Sequence, residues 1–107
     1  YAFEDCSGLT SVIIGDGITS IDQGVFSGCS GLTSVHISDI IAWCNIEFAD
    51  NYSNPLITAN LYIDNEIVTD VIVPDGITAI KSYAFYGYTN LKSIKIILAV
   101  VFAFAWR

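Results

Sequence analysis

Three cysteines and one histidine are the side chains of this 107-residue sequence best suited to nucleophilic or metal chemistry. A Cys–His nucleophile pair would have to use His36, because no second histidine is present. A zinc or redox site would need Cys6, Cys29 or Cys44 at ligand spacing, and no CxxC spacing occurs. The place of these residues in the chain therefore decides between a reactive and a structural role.

The acidic residues give no stronger indication of a site. Asp64, Glu66 and Asp70 lack the DxDxDG order of a calcium loop, which favours solvated positions for them. No glycine-rich phosphate loop precedes a helix pattern, so we predict no cofactor. All eleven acids lie between Glu4 and Asp75, and the net charge is −7, which disfavours nucleic acid as a partner.

The chain is built from a repeated unit. The heptapeptide CSGLTSV occupies residues 6–12 and again residues 29–35, an offset of 23 residues. VIVPDGITAIKSYAF at 71–85 matches VIIGDGITSIDQGVF at 12–26, an offset of 59 residues. A fixed period in this range indicates stacked repeats. The middle unit, at 36 residues, is about thirteen residues longer than the 23-residue unit.

The cysteines fall on repeat positions. Cys6 and Cys29 occupy the same position, which a later copy fills with Tyr88, and a step of 23 residues aligns Cys44 with Ile21. Aromatic and aliphatic replacements suit a core position and not a ligand position, so we predict that all three thiols are buried and structural. Neighbouring repeats would bring Cys6 and Cys29 within possible disulfide reach, depending on Cβ direction.

Each repeat position has a physical role. Leu9, Val12 and Ile14 stand at strand spacing, which predicts an extended segment with one buried face. GDG at 15–17 and PDG at 74–76 are turn signals, because glycine accepts positive φ. A short helical turn then places an aromatic residue in the predicted core: Phe3, Phe26 and Phe85.

The combined pattern, AFxxCxxLTSVxIxDGITSI, resembles the BspA-like leucine-rich repeats, found mostly on surface proteins of bacteria and of some mucosal protists. The resemblance covers residues 1–96. It implies an α/β leucine-rich repeat solenoid, predominantly β with short helical turns. The implied stack is curved and right-handed, with repeats of about 23 residues and one irregular longer unit. The resemblance also implies a cell-surface or secreted location.

Two parts of the chain depart from the regular repeat. In the longer unit, LYI and EIV flank Asp64-Asn65, residue types that tolerate positive φ, so we predict a hairpin there. Residues 1–96 then form one repeat domain, a fragment of a longer array, followed by an atypical apolar tail at 97–107. The apolar run of the tail is shorter than the roughly 18 to 20 residues of a spanning helix. We therefore expect no membrane span, and a packing or self-association role for the tail.

The function implied by the resemblance is a non-enzymatic module that binds a protein or glycan, in adhesion or in interaction with host proteins. The alternative is a structural spacer, whose repeats only lengthen a cell-surface stalk. An enzyme is disfavoured, because strand alternation turns His36 away from the cysteines placed in the core.

The candidate binding face follows from the same alternation. If Val12 and Ile14 point inward, Ser11 and Ile13 point outward. Applied to every strand of the repeat, this predicts one exposed sheet face shared by eight residues: Ser11, Ile13, Ser34, His36, Asp70, Ile72, Ser93 and Lys95. Ile13 and Ile72 are large apolar side chains at positions where solvent favours polar ones.

Overall fold

The computed structural model describes residues 2–73 and 80–96, and most of the regular structure in these residues is strand. The strands are β1 (Ser11–Ile13), β2 (Ser20–Ile21), β3 (Ser34–Ile37), β4 (Glu47–Phe48), β5 (Asn60–Ile63), β6 (Glu66–Ile67), β7 (Asp70–Val73) and β8 (Ser93–Ile96). One short helix, α1 (Ile40–Cys44), and two 3₁₀ turns, Asn51–Ser53 and Pro55–Ile57, complete them. The described residues hold no helix of a length and apolarity that could cross a bilayer. The predicted turn at 74–76 and the apolar tail at 97–107 lie outside the described residues.

The 23-residue offset of the sequence is the register of the parallel strands. β1 pairs with β3 so that Ser11 lies beside Ser34. β7 pairs with β8 in the same way, with Asp70 beside Ser93. Equivalent repeat positions therefore lie next to each other, as the sequence predicts.

The predicted single stacked sheet is wrong, because the strands that carry the predicted face form two sheets. The larger sheet has the order β1-β3-β5-β6, while β7 and β8 form a separate pair. β5 joins β3 in parallel with Asn60 beside Ser34, a pairing that the 23-residue alignment missed. β6 returns antiparallel to β5 and occupies the edge where another parallel strand would continue the sheet.

The hairpin between β5 and β6 is confirmed at the predicted turn. Asp64 and Asn65 have φ angles of 51° and 63°, the left-handed conformation that a two-residue hairpin turn requires. Asp and Asn adopt this conformation at lower cost than other non-glycine residues. The local sequence is thus sufficient to reverse the chain here.

The core is centred on the irregular unit. Trp43 and Leu61 are at most 1% exposed, and the indole Nε1 of Trp43 donates a 2.9 Å hydrogen bond to the carbonyl of Ala84. The predicted plug is wrong for Phe3, which is 45% exposed. The ring of Phe3 packs on that of Phe26, with centroids 5.8 Å apart. Phe26 and Phe85, the other two predicted plugs, are half-buried and pack against the core.

The alignment of Cys44 with Ile21 is also wrong. Ile21 pairs with Phe48 in the β2–β4 sheet, because α1 adds residues between β3 and β4. Cys44 ends α1 and packs with Val71 and Val73 in a second apolar cluster. Asp39 caps the N-terminus of the helix, because its carboxylate accepts a 2.9 Å hydrogen bond from the backbone N–H of Ile41.

Candidate functional site

The outward face of the four-stranded sheet carries a continuous row of large side chains. Ile13 lies beside His36, His36 beside Tyr62, and Tyr62 beside Ile67. These residues, which we call the outer row, come from the four adjacent strands β1, β3, β5 and β6. Adjacent strands lie about 4.8 Å apart, so the four side chains form one contiguous strip.

The outer row combines two exposed isoleucines with a pair of packed aromatic rings. Ile13 is 83% exposed and Ile67 is 44% exposed. His36 and Tyr62 are half-buried, because their rings stack with centroids 5.2 Å apart and planes 20° from parallel. Because the two rings are already packed together, their side chains lose little conformational entropy when a ligand binds to them.

A second row of polar side chains runs beside the outer row. Ser11 lies beside Ser34, and Ser34 lies beside Asn60. Ser11 is exposed, whereas Ser34 and Asn60 are half-buried. Asn60 accepts a hydrogen bond from the side-chain amide of Asn90. This polar row supplies neutral hydroxyl and amide groups next to the apolar strip.

The other four predicted face residues lie on the β7–β8 sheet and form a charged surface. Ile72, 58% exposed, lies beside Lys95, which is also exposed. Asp70 accepts hydrogen bonds from the Ser93 hydroxyl at 2.6 Å and the Thr69 hydroxyl at 3.0 Å. These bonds, with a smaller contribution from neighbouring lysines, lower the pKa of Asp70. The structure therefore divides the eight predicted residues between a neutral face and a charged face.

The cysteines contribute to the core. Cys29 and Cys44 are 3% and 1% exposed, so their predicted burial is confirmed, whereas Cys6 is half-buried. All three are free thiols, and the Cys29 thiol donates a 2.9 Å hydrogen bond to the carbonyl of Phe3. Burial, with the nearby charge of Asp39, raises the pKa of Cys44 to about 11. In the described part of the chain, no three His, Cys, Asp or Glu residues are placed to hold one metal ion.

Tyr88 has a role that sequence reasoning missed. It is 6% exposed, which confirms the core position predicted from its alignment with Cys6 and Cys29. Its hydroxyl donates to the carbonyl of Val68 at 2.5 Å and accepts from the backbone N–H of Leu61 at 3.3 Å. Burial raises the pKa of Tyr88. Its hydroxyl thus ties together the two sides of the hairpin that carries Tyr62 and Ile67.

Tyr62 and Ile67 are the functional candidates that the repeat alignment did not find. Neither residue corresponds to a position of the 23-residue pattern, because both lie in the irregular unit. The available signal was the alternation of LYI, in which a buried Leu61 requires an outward Tyr62.

Comparison with protein families finds a match that spans nearly the whole chain. A family model described as BspA type leucine rich repeat region (6 copies) matches residues 1–56 and 56–101. No curated protein and no solved structure matches the chain.

Proposed function

Because the chain belongs to the family of BspA-type leucine-rich repeats, we propose that it is a non-enzymatic binding module of a cell-surface or secreted protein. The ligand is a protein or a glycan that engages the outward face of the four-stranded sheet. We further propose that the units form a curved right-handed solenoid. The parallel pairings of β1 with β3 and of β7 with β8 at the repeat offset support this arrangement.

The outer row is the observation that carries the proposal. Isolated exposed apolar residues are common on any protein and need no explanation. Ile13, His36, Tyr62 and Ile67 are instead neighbours across four strands, and Ile13 is 83% exposed. Contiguous apolar and aromatic surface of this kind is typical of interaction sites.

The chemistry of the face favours a protein ligand and leaves a glycan as the second candidate. The outer row and the polar row contain no acid and no lysine or arginine, so apolar contact and neutral hydrogen bonds dominate. Such a surface suits the centre of a protein interface, where charged residues are depleted. The aromatic His36–Tyr62 pair beside the Ser11 and Ser34 hydroxyls supports the glycan alternative.

The test presents the full chain to an array of extracellular-matrix proteins and glycans, and then repeats the binding with two double variants. The outer-row variant carries Ile13→Ser and Ile67→Thr. The control variant carries Ile41→Ser and Ile57→Ser, which remove two isoleucines that are 36% and 40% exposed and lie outside the outer row. We expect the outer-row variant to bind roughly tenfold more weakly, with an unchanged melting temperature, and the control to bind normally.

Two results would contradict the proposal. Loss of binding in the control variant, with normal binding in the outer-row variant, would place the ligand on another face. If the unmodified chain captured neither a protein nor a glycan, the module would be a structural spacer.

A further inference from the structure

A cleft of about 440 Å³ lies between the β5–β6 hairpin and β7, where the chain passes from one sheet to the other. We call it the hairpin cleft. It exists because β6 turns back along β5, while β7 pairs with β8 in a separate sheet. Ile67 belongs both to the outer row and to the lining of the cleft, so the two surfaces are continuous.

The lining of the hairpin cleft includes aliphatic side chains. Ile40, Ile63 and Val68 are half-buried and pack against the core. Ile67 and Ile72 complete the lining and are 44% and 58% exposed. A ligand group that enters the cleft therefore meets hydrocarbon, and covering these side chains removes apolar surface from water.

Carboxylates also line the cleft. Asp64 and Glu66 come from the hairpin, and Asp70 comes from the start of β7. Within the described residues the single ion pair is Lys81–Glu47, so Asp64 and Glu66 have no cationic partner there. Asp70 is held in place by the hydroxyls of Ser93 and Thr69. The three carboxylates do not form a group able to hold a metal ion together.

We propose that the hairpin cleft receives a lysine or arginine side chain of a protein ligand bound on the outer row. The aliphatic lining would cover the methylene stem of that side chain, and the carboxylates of Asp64 and Glu66 would bind its cationic head. A metal ion would use only the carboxylates, and an uncharged apolar group would use only the aliphatic lining. A long cationic side chain uses both, and opposite charge also selects among protein partners. This inference rests on the proposed function, and it adds a specificity site to that function.

A peptide titration tests the cleft directly. The full chain, labelled with ¹⁵N, is titrated with acetyl-Gly-Arg-Gly-amide and followed by NMR. The matched probe is acetyl-Gly-citrulline-Gly-amide, which keeps the length and planarity of arginine but is neutral. We expect saturable shifts of the backbone amides of residues 63–72 with the arginine peptide, and none that saturate with the citrulline peptide.

Charge-neutral variants sharpen the test. Asp64→Asn with Glu66→Gln should weaken arginine-peptide binding about fivefold, since two partly exposed ion pairs are lost. Asparagine tolerates the positive φ of position 64, so the hairpin should persist. The control, Glu4→Gln with Asp22→Asn, removes the same charge from two exposed residues outside the cleft and should bind normally.

Several outcomes would overturn the cleft assignment. An equal loss in the control variant would show attraction by net charge, and equal binding of the citrulline peptide would remove the role of the cation. Shifts confined to the outer row would place the peptide outside the cleft, and saturable shifts with Ca²⁺ at lower concentration than with the peptide would indicate a metal site. In each case the array experiment with the outer-row variant still decides the proposed function separately.

Discussion

The first two copies of the repeat bury equivalent side chains to different extents. Val12 and Val35 occupy the same repeat position, yet Val12 is half-buried and Val35 is 0% exposed. Leu9 and Leu32 differ in the same way. The reason is position in the sheet, since β3 lies between β1 and β5 while β1 lies at the edge. Identical sequence therefore gives identical local structure but not identical burial.

The irregular unit interrupts the large sheet and also creates the features that a ligand could use. Its hairpin places β6 at the sheet edge and so ends the parallel series. The same hairpin adds Tyr62 and Ile67 to the outer row and forms one side of the hairpin cleft. The regular repeats place equivalent side chains next to each other, whereas the irregular unit contributes the hairpin cleft and the carboxylates of Asp64 and Glu66.

The largest expected effect is a loss of stability when a side chain of the irregular unit is truncated, compared with truncations in the first two repeats. Trp43→Ala should lower the free energy of unfolding by about 3–5 kcal/mol, because it leaves a cavity in the most buried part of the core. Phe26→Ala should cost less, since Phe26 is half-buried, and Phe3→Ala least of all, since Phe3 is 45% exposed. Urea unfolding followed by circular dichroism would measure the series. A Phe3→Ala cost as large as that of Trp43→Ala would mean that the core extends to the first repeat.

A smaller loss of stability is expected from changing Tyr88, which occupies the repeat position of Cys6 and Cys29. Tyr88→Phe removes the hydroxyl that accepts from the N–H of Leu61 and donates to the carbonyl of Val68. It should lower the free energy of unfolding by about 1–3 kcal/mol. Hydrogen exchange of the Leu61 amide should also become faster. Tyr83→Phe is the control, because Tyr83 is 43% exposed, and it should change stability by less than about 0.5 kcal/mol. Unchanged exchange at Leu61 would show that Tyr88 does not secure the hairpin.

The parts of the fold that depend on local pattern could be predicted from the sequence. Alternation along the strand identified the outward Ile13 and Ile72, and the 23-residue offset gave the register of β1 with β3. The residue types Asp64 and Asn65 were sufficient to predict the hairpin turn. In each case the deciding contacts involve neighbours in sequence or equivalent repeat positions.

The parts that depend on distant pairing could not be predicted. The pairing of β5 with β3 is shifted from the repeat offset, because the irregular unit changes the length of chain between them. Tyr62 and Ile67 join the outer row through that pairing, so the repeat alignment could not include them. Phe3 and Phe26 occupy the same repeat position, yet Phe3 is 45% exposed and Phe26 is half-buried, so the repeat position alone did not predict the exposure of Phe3.

The smallest expected effect compares two equivalent serines, Ser34 beside Ser11 in the large sheet and Ser93 beside Asp70 in the small one. The Ser93 hydroxyl is the main cause of the lowered pKa of Asp70, so Ser93→Ala should raise that pKa toward its ordinary value of 3.8. A carboxyl with a lowered pKa in the folded state stabilises the protein above its unfolded pKa. That contribution is lost as the pH falls through the folded value. Ser93→Ala should therefore reduce the part of the stability that acid removes below about pH 4, and only slightly, because Asp70 is exposed and screened by solvent.

A carbon-13 NMR titration of the Asp70 carboxyl measures the shift of its pKa, with Ser34→Ala as the control that should leave that pKa unchanged. The same Asp70 pKa in all three proteins would show that the hydroxyl of Ser93 does not stabilise the carboxylate in solution.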